Sequence, residues 1–266
     1  MDRLSEEILP AIPSSSSERE PVPLAHEAIH LTTAEILSQL PRGRLLDVPA
    51  GEGALAARLI ELGFKVSCCD LFPQIFRLKG VDIRRGDLSS RLPYDDSEFD
   101  YVACVEGLEH IENPQQAIRE FKRIIRAGGT LITSVPNILN IEERLKWLFS
   151  GYTSHFKPLS EEALRPLRTE FGEMEAIALH VNPIGYSELR YILEANGFLI
   201  NKLFRDKRKA RQWLYWPVVQ LIRIVNALSP ATKRRERWAD ELQSDEILLG
   251  GNTLIVQATL KEQSKI

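Results

Sequence analysis

The feature that most constrains the fold is an alternation of short apolar runs with helical segments between residues 44 and 136. The apolar runs lie at 44–48, 65–69, 82–85, 101–105 and 130–135. Helices are predicted at 54–62 and 114–125, each ended by glycine. Strands that alternate with helices form βαβ units around a parallel sheet that is buried on both faces. The pattern therefore predicts an α/β fold with a doubly wound, mostly parallel sheet.

The rest of the chain divides by composition. Residues 1–23 are rich in serine, proline and glutamate, which predicts a mobile tail. Residues 24–262 have the length of one domain, interrupted by insertions at 137–182 and 205–246. Further helices are predicted at 24–40, 141–149, 161–171, 187–195 and 218–228, and further strands at 198–204 and 248–260, the last with a bend around Gly250-Gly251 as an option.

Composition excludes several classes of protein. The net charge of −3 argues against a dedicated nucleic-acid binder, which is usually strongly basic. The N-terminus lacks the apolar core of a secretory signal, and the sequence contains no long uncharged apolar run. Cys68, Cys69 and Cys104 all lie in apolar runs, which predicts reduced core thiols in a cytoplasmic protein.

The strongest local signal is the segment from Asp47 to Gly53, which follows the first strand and opens a helix. Ligands of doubly wound sheets bind at such turns. Gly51 allows the backbone to approach a ligand, and Gly53 allows the helix to pack closely on the strand. The loop lacks the G-x-G-x-x-G phosphate motif and carries Asp47 and Glu52 instead. Acidic groups there favour a cationic ligand over a pyrophosphate.

Two more carboxylates follow strands. Asp70, after the second strand, could accept hydrogen bonds from a ribose diol. Asp87, after the third strand, could accept one from an adenine amino group, with Leu88 against the ring. Either carboxylate alone is more often a cap or turn residue. Their order along the chain, together with Asp47, favours a nucleoside-containing cofactor.

These residues carry a family resemblance. The run from Arg44 to Asn137 resembles class I S-adenosylmethionine-dependent methyltransferases, especially the branch of ubiquinone-biosynthesis, small-molecule and sugar methyltransferases. The matching motifs are Asp47-x-Pro49-x-Gly51-x-Gly53, Asp70-Leu71, Gly86-Asp87-Leu88 with Leu92-Pro93-Tyr94 and Phe99-Asp100, Val105-Glu106-Gly107-Leu108-Glu109-His110-Ile111, Gly128-Gly129-Thr130-Leu131 and Val135-Pro136-Asn137.

The resemblance implies a seven-stranded sheet whose last strand is antiparallel, with S-adenosyl-L-methionine as the cofactor. The residues expected to bind the cofactor are Asp47, Pro49, Ala50, Gly51, Gly53, Asp70, Leu71, Asp87, Leu88 and Glu106. One position departs from the family: Pro49 replaces its first glycine. Because proline fixes φ and removes an amide donor, the methionine end of the cofactor is expected to sit differently.

Histidines are the candidates for a general base, which a hydroxyl acceptor needs near neutral pH. His110 follows the fourth strand, and His155 lies in the irregular region; these two are predicted to be catalytic. His180 is a further candidate, and for each of the three a structural role in a loop stays open. His26 and His30, on the first helix, are interpreted as structural.

Glu106 and Glu109 could orient His110 or bind a metal. No second acidic cluster accompanies them, so the sequence predicts no metal site. Asn137 fits either a turn or a substrate contact. The insertion 137–182 resembles the variable substrate cap of the family. Its aromatic residues fit a substrate pocket or the core of a small helical lid, and they are Trp147, Phe149, Tyr152 and Phe156.

The insertion 205–246 combines basic and aromatic residues around a predicted helix. Its polar residues Gln220, Arg223 and Asn226 recur every three positions, on one narrow face. Peripheral membrane contact through 205–237 is one interpretation. Packing on the protein itself or on a partner subunit is the other, and a nucleic-acid patch ranks third.

The sequence thus predicts methyl transfer from S-adenosylmethionine to a small-molecule, saccharide or lipid-linked acceptor, favouring oxygen. The location would be the cytoplasm, with the inner face of a membrane as a variant. A protein or nucleic-acid methyltransferase and a non-catalytic binding protein are the alternatives. Glu106-Gly107-Leu108-Glu109 stands where many amino-methylating DNA enzymes carry Asn/Asp-Pro-Pro-aromatic, which disfavours nucleic acid.

Overall fold

The computed structural model describes residues 20–172, 174, 179–209 and 212–262. Residues 1–19 of the predicted tail and Arg211 of the basic segment lie outside the described residues. The end of the predicted tail is tied to the protein, because the amide of Val22 donates to Oε2 of Glu52 at 3.1 Å. The N-terminal segment therefore contacts the loop that follows the first strand.

Within the described residues, seven strands form one sheet in the order β3-β2-β1-β4-β5-β7-β6. The strands are β1 (Arg44–Asp47), β2 (Lys65–Asp70), β3 (Ile83–Arg85), β4 (Phe99–Cys104), β5 (Ile125–Pro136), β6 (Phe198–Arg205) and β7 (Thr253–Leu260). The first five pair in parallel, whereas β7 runs antiparallel to β5 and β6. The predicted architecture is confirmed. The strand order reverses between β1 and β4, and their carboxyl ends border the crevice where such sheets bind ligands.

Helices cover both faces of the sheet. They are α1 (Glu27–Ser38), α2 (Ala54–Glu61), α3 (Pro114–Ile124), α4 (Ile141–Ser150), α5 (Glu161–Phe171), α6 (Tyr186–Ala195), α7 (Trp216–Ala227), α8 (Ala231–Glu236) and α9 (Asp245–Leu248). Short 3-10 turns occur at Pro73–Ile75, Leu108–His110, Gln212–Tyr215 and Glu241–Gln243. None of the helices in the described part of the chain combines the length and apolarity needed to cross a bilayer.

The packing of the core explains why each strand is a continuous apolar run in the sequence. Leu45 packs in a cluster with residues of α1 and α2, whereas its neighbour Leu46 packs with residues of α3 and α6. Successive side chains of a strand point to opposite faces, so a sheet covered on both sides needs apolar residues at every position. Cys68, Cys69 and Cys104 are free and buried in this core, as predicted.

Strand β5 begins earlier than the sequence predicted. Helix α3 ends at Ile124, and β5 follows at Ile125 without a break. Gly128 and Gly129 therefore lie within the strand instead of ending the helix. A side chain at Gly129 would lie 2.6 Å from Cγ2 of Ile125 and 2.8 Å from the carbonyl oxygen of Asp100. Gly129 fits a close approach of β4 and β5, whose register shifts there.

The prediction of one strand over 248–260 is wrong at its start. Helix α9 occupies 245–248, and β7 begins at Thr253. The turn between them contains Gly250 and Gly251, where a side chain would overlap the carbonyl oxygen of Glu246 and the carboxylate of Asp206, respectively. The apolar run Ile247-Leu248 is buried in a helix, and periodicity cannot separate so short a helix from a strand.

Candidate active site

The loop between β1 and α2 forms the floor of the crevice. Gly51 and Gly53 have φ values of +54° and +95°, which glycine adopts without a steric penalty. A side chain at Gly53 would lie 2.8 Å from the side chains of both Leu78 and Phe76. The loop conformation therefore requires glycine at this position.

Three strand ends meet beside this loop. The Val48–Pro49 peptide bond is cis, and Pro49 adjoins Gly107, the third residue after β4. A side chain at Gly107 would lie 2.7 Å from Cδ of Pro49 and 3.3 Å from Cδ1 of Leu88, which follows β3. Gly107 was not among the predicted site residues. Its sequence signal is its position just after a strand that borders the crevice.

Asp70 joins the loop to the end of β2. One carboxylate oxygen accepts from the amide of Gly51 at 2.8 Å, and the other accepts from the amide of Phe72 at 2.8 Å. Burial raises the pKa of Asp70, and hydrogen bonds from these and neighbouring amides oppose that shift. Ala50 adds a second link, because its amide donates to the carbonyl of Cys69 at 3.0 Å. Asp70 thus fixes the shape of the loop.

Asp47 is a strongly perturbed carboxyl at the crevice. Its side chain is buried, and within the described residues its Oδ2 has no hydrogen-bond partner. Burial, reinforced by the nearby Asp70, raises the pKa of Asp47 to about 8. A carboxyl that is costly to ionise here gains most from a cation placed beside it.

This pKa predicts a pH dependence of stability. The unfolded chain releases the Asp47 proton near its ordinary pKa, whereas the folded chain keeps it until about pH 8. The free energy of unfolding should therefore fall as pH rises through that window. We expect Asp47→Asn to remove this loss. The melting temperature of the variant should therefore rise relative to that of the wild type as pH increases from about 5 to about 8. Asp82→Asn, at an exposed carboxylate, is the control; parallel curves for all three proteins would contradict the assignment.

The remaining cofactor candidates lie at the same edge of the sheet. Asp87 accepts from the amide of Ser89 at 2.7 Å, which caps its turn, and Leu88 is buried. Leu71 is half-buried beside Asp70. Glu106 has a φ of +50°, unusual for a residue with a side chain, and its amide donates to Oγ of Ser134 at 2.8 Å. Its Oε1 accepts from Thr253 at 3.2 Å.

The structure brings three histidines together after β4. The ring centroids of His110 and His180 are 4.8 Å apart, and those of His180 and His155 are 6.1 Å apart in a stacked arrangement. His180 joins the two predicted catalytic histidines. Burial and the two neighbouring rings lower the pKa of His180 to about 3, so it stays neutral at physiological pH. We call these three residues the histidine cluster.

A backbone carbonyl contacts the ring of His110. Nδ1 of His110 lies 2.9 Å from the carbonyl oxygen of Leu179. Because a carbonyl only accepts, this contact assigns the proton to Nδ1 and leaves Nε2 with a lone pair. The loop that carries Leu179 is held in turn by Glu109, whose carbonyl accepts from the amides of Val181 and Asn182 at 2.9 and 3.0 Å.

The Glu109 side chain is fully buried, and within the described residues neither of its oxygens has a hydrogen-bond partner. Burial, together with the nearby Glu106, raises the pKa of Glu109. Potential ligand atoms of Glu109, His110 and His180 lie within 4.8 Å of one another. This set of oxygen and nitrogen donors could hold a divalent cation, an option that the sequence did not favour.

The other two histidines lie on α1. Nδ1 of His26 accepts from the amide of Ala28 at 3.2 Å and caps the helix. His30 is buried in the same helix, and burial lowers its pKa to about 4. These positions fit the structural interpretation.

The predicted cap is joined to the rest of the domain through Asn137, and two of its four aromatic residues are exposed. Nδ2 of Asn137 donates to the carbonyl of Ile247 at 2.9 Å, which makes this residue a link to the segment before β7. Trp147 and Phe149 are 64% and 84% exposed, so neither forms a pocket wall or a lid core. Phe156 contacts the ring of His180, with centroids 5.6 Å apart. Only part of the insertion therefore approaches the crevice.

Comparison with known proteins agrees with this geometry. Residues 46–133 match the family model of the methyltransferase domain. Over 107 residues, the chain is 33% identical to a ubiquinone biosynthesis O-methyltransferase of Xanthomonas campestris and 35% identical to one of Xanthomonas oryzae. Each match covers 37% of this chain and 45% of the relative, so it spans less than half of those proteins.

Solved structures resemble a larger part of the chain. A Thermotoga maritima S-adenosylmethionine-dependent methyltransferase, described as a possible histamine N-methyltransferase, gives a TM-score of 0.53 at 17% identity and 88% coverage of both chains. A putative Haloferax volcanii methyltransferase, solved with its activator Trm112, gives 0.52 at 17% identity, covering 88% of this chain and 90% of that one. These likenesses show the fold. Together with the domain match, they show that the chain has the fold of class I S-adenosylmethionine-dependent methyltransferases and carries a methyltransferase domain at residues 46–133.

Proposed function

We propose that this chain transfers a methyl group from S-adenosylmethionine to the oxygen of a small-molecule acceptor. The observation that carries the proposal is the histidine cluster. Its member His110 lies three residues after Gly107, which adjoins Pro49 of the loop between β1 and α2. When bound, S-adenosylmethionine supplies an activated methyl carbon that an oxygen can attack in line as the carbon–sulfur bond breaks. The protein then has to align the acceptor and receive its proton.

The residues around the loop fit this cofactor. The buried carboxyl of Asp47 has an oxygen with no partner within the described residues, beside a glycine bend, and it suits a cationic group. Each oxygen of Asp70 accepts an amide at 2.8 Å, and ribose hydroxyls would be additional donors to the same carboxylate. Asp87 and Leu88 would hold the adenine, while Gly51 and Gly53 keep side chains out of the way.

His110 is the proposed general base. The carbonyl of Leu179 fixes the proton on Nδ1, so Nε2 carries the lone pair that would accept the proton of an acceptor hydroxyl. His180 stays neutral because of its low pKa, so it does not add a competing positive charge beside His110. His155 extends the cluster on the other side of His180 and would line the acceptor position.

We expect His110→Ala to lower kcat by at least about 100-fold, the usual contribution of a general base, with a cofactor Kd changed by less than about twofold. Single-turnover kinetics and calorimetry measure the two quantities. His26→Ala, at a helix cap on α1, is the matched control and should retain the wild-type kcat. A His110→Ala enzyme with unchanged kcat would assign proton transfer elsewhere.

A lipid-linked acceptor is the version of this function that the basic segment 205–237 favours. Such an acceptor needs the protein at a bilayer, on the cytoplasmic side of a membrane. A water-soluble small molecule or saccharide would need no such contact. The lipid-linked version therefore requires membrane binding, whereas methyl transfer itself does not.

The deciding experiment has two stages. Calorimetry with S-adenosylmethionine and with its demethylated product tests for a cofactor site, and we expect both to bind. Incubation with metabolite and lipid extracts, followed by mass spectrometry, then seeks an acceptor that gains one methylene unit. Cofactor binding without any methylated product would favour a non-catalytic binding protein. A product found only in protein or nucleic-acid fractions would favour the other alternative.

A further inference from the structure

Helix α7 presents its apolar side to solvent. Five apolar residues spaced four and three apart, three on α7 and one just beyond each end of it, form what we call the apolar stripe, and they are Leu214, Val218, Leu221, Val225 and Leu228. All five are exposed, with Leu221 at 61% and Leu228 at 81%, and Trp213, Trp216 and Ile224 flank them, also exposed. In a helix that packs on its own domain, such a stripe faces the core.

The polar face of the same helix faces the protein. Arg223 donates to the carbonyl of Gln243 at 3.0 Å and pairs with Asp245 at 2.6 Å. Asn226 donates to Oδ1 of Asp240 at 3.2 Å. These contacts fix the rotation of α7 about its axis, so the exposure of the stripe follows from the structure. They also argue against the interpretation in which the apolar face packs on the domain itself.

A second exposed apolar group lies on the neighbouring helix. Val219 of α7 and Ile141 of α4 belong to one small buried cluster, which brings the two helices together. At the end of α4, Trp147, Leu148 and Phe149 are all exposed. Helix α4 starts shortly after the carboxyl end of β5, the edge of the sheet that carries the crevice. The exposed apolar residues at the end of α4 thus lie on a helix that starts at the edge of the sheet where the crevice is.

The stripe has basic residues at both ends. Segment 207–237 holds nine basic residues and one acidic residue, in a chain whose net charge is −3. Arg208 precedes the stripe, while Lys233, Arg235 and Arg237 follow it, and all four are exposed. In a symmetric dimer the same patch would meet itself and oppose these like charges. An anionic surface instead matches the positive charge at both ends.

We propose that the apolar stripe docks on a bilayer rich in anionic lipid. The stripe and the two tryptophans enter the headgroup region, where aromatic residues concentrate, and the basic residues at both ends bind lipid phosphates. This inference deepens the lipid-linked version of the proposed function. Its experiment involves no methyl transfer, so the two can fail separately.

The test is co-sedimentation of the full chain with vesicles. With equal parts phosphatidylcholine and phosphatidylglycerol, we expect binding at least about tenfold tighter than with phosphatidylcholine alone, decreasing as salt is added. The double variant Leu221→Gln/Ile224→Gln should bind at least about tenfold more weakly. The matched control Leu31→Gln/Leu199→Gln, at exposed leucines of α1 and β6, should bind like the wild type.

Circular dichroism and calorimetry with S-adenosylmethionine establish that each variant is folded and keeps its cofactor site. Equal binding of wild type and stripe variant, or no preference for anionic vesicles, would overturn the proposal. Sedimentation velocity adds one more outcome: a dimer that the stripe variant dissociates would assign the surface to a second copy of the chain.

Discussion

Asp70→Ala is expected to weaken S-adenosylmethionine binding at least about tenfold, close to 1.4 kcal/mol. Asp70 accepts the amides of Gly51, in the loop between β1 and α2, and of Phe72, after β2, so its loss leaves two backbone donors without this partner. Hydrogen bonds to a charged group contribute about 1.5–3 kcal/mol each, and the proposed ribose contacts would be lost as well. Calorimetric titration with the cofactor and with its demethylated product measures the effect.

The control for this variant is Asp82→Ala, which removes an exposed carboxylate just before β3. Its affinity should match the wild type. The affinity of Asp70→Asn should lie between those of Asp70→Ala and the wild type, because an amide oxygen can still accept a hydrogen bond from one of the two backbone donors. Wild-type affinity in Asp70→Ala would remove Asp70 from the cofactor site and would leave it as a residue of the loop alone.

Phe121→Ala is expected to lower the free energy of unfolding by about 3–5 kcal/mol. Phe121 lies on α3 with no exposed surface, inside the larger cluster between that helix and the sheet. Its removal loses the transfer free energy of the ring and leaves a cavity that close-packed neighbours fill only in part. Denaturant unfolding followed by circular dichroism gives the difference.

Phe149→Ala is the matched control, since it removes the same side chain where that side chain is 84% exposed. Its free energy of unfolding should change by less than about 0.5 kcal/mol. Similar values for the two variants would mean that α3 does not pack as described. Because small domains are stable by only about 5–15 kcal/mol, the first variant is best compared by its denaturation midpoint.

The sheet could be predicted from the sequence because its determinants are local. Apolar runs bounded by glycine and proline specify buried strands, and the helices between them require crossovers of one hand. The starts of β5 and β7 were predicted wrongly because tertiary contacts, and not the end of a helix or a strand, require glycine there. Gly129 lies where β4 and β5 approach closely, and Gly250 lies in a turn against α9. Neither contact leaves a local periodicity.

The candidate site was predictable to the same extent. Parallel strands bring their carboxyl ends to one edge, so Asp47 and Asp70 were expected to be neighbours there, and they are. The carbonyl of Leu179 and the packing of Gly107 against Pro49 were not anticipated. Both contacts join segments far apart in sequence, and a backbone carbonyl has no residue type to reveal it.

The sequence by itself determined the strand and helix alternation, the glycine bend and the carboxylates at the strand ends, because each depends on neighbours in the chain. Only the tertiary structure decided that His180 completes the histidine cluster and that α7 turns its apolar stripe outward. Those outcomes depend on Glu109 holding the loop at 181–182 and on Arg223 pairing with Asp245. Contacts between distant segments select one rotation of a helix and one position of a loop from several that local propensity allows equally.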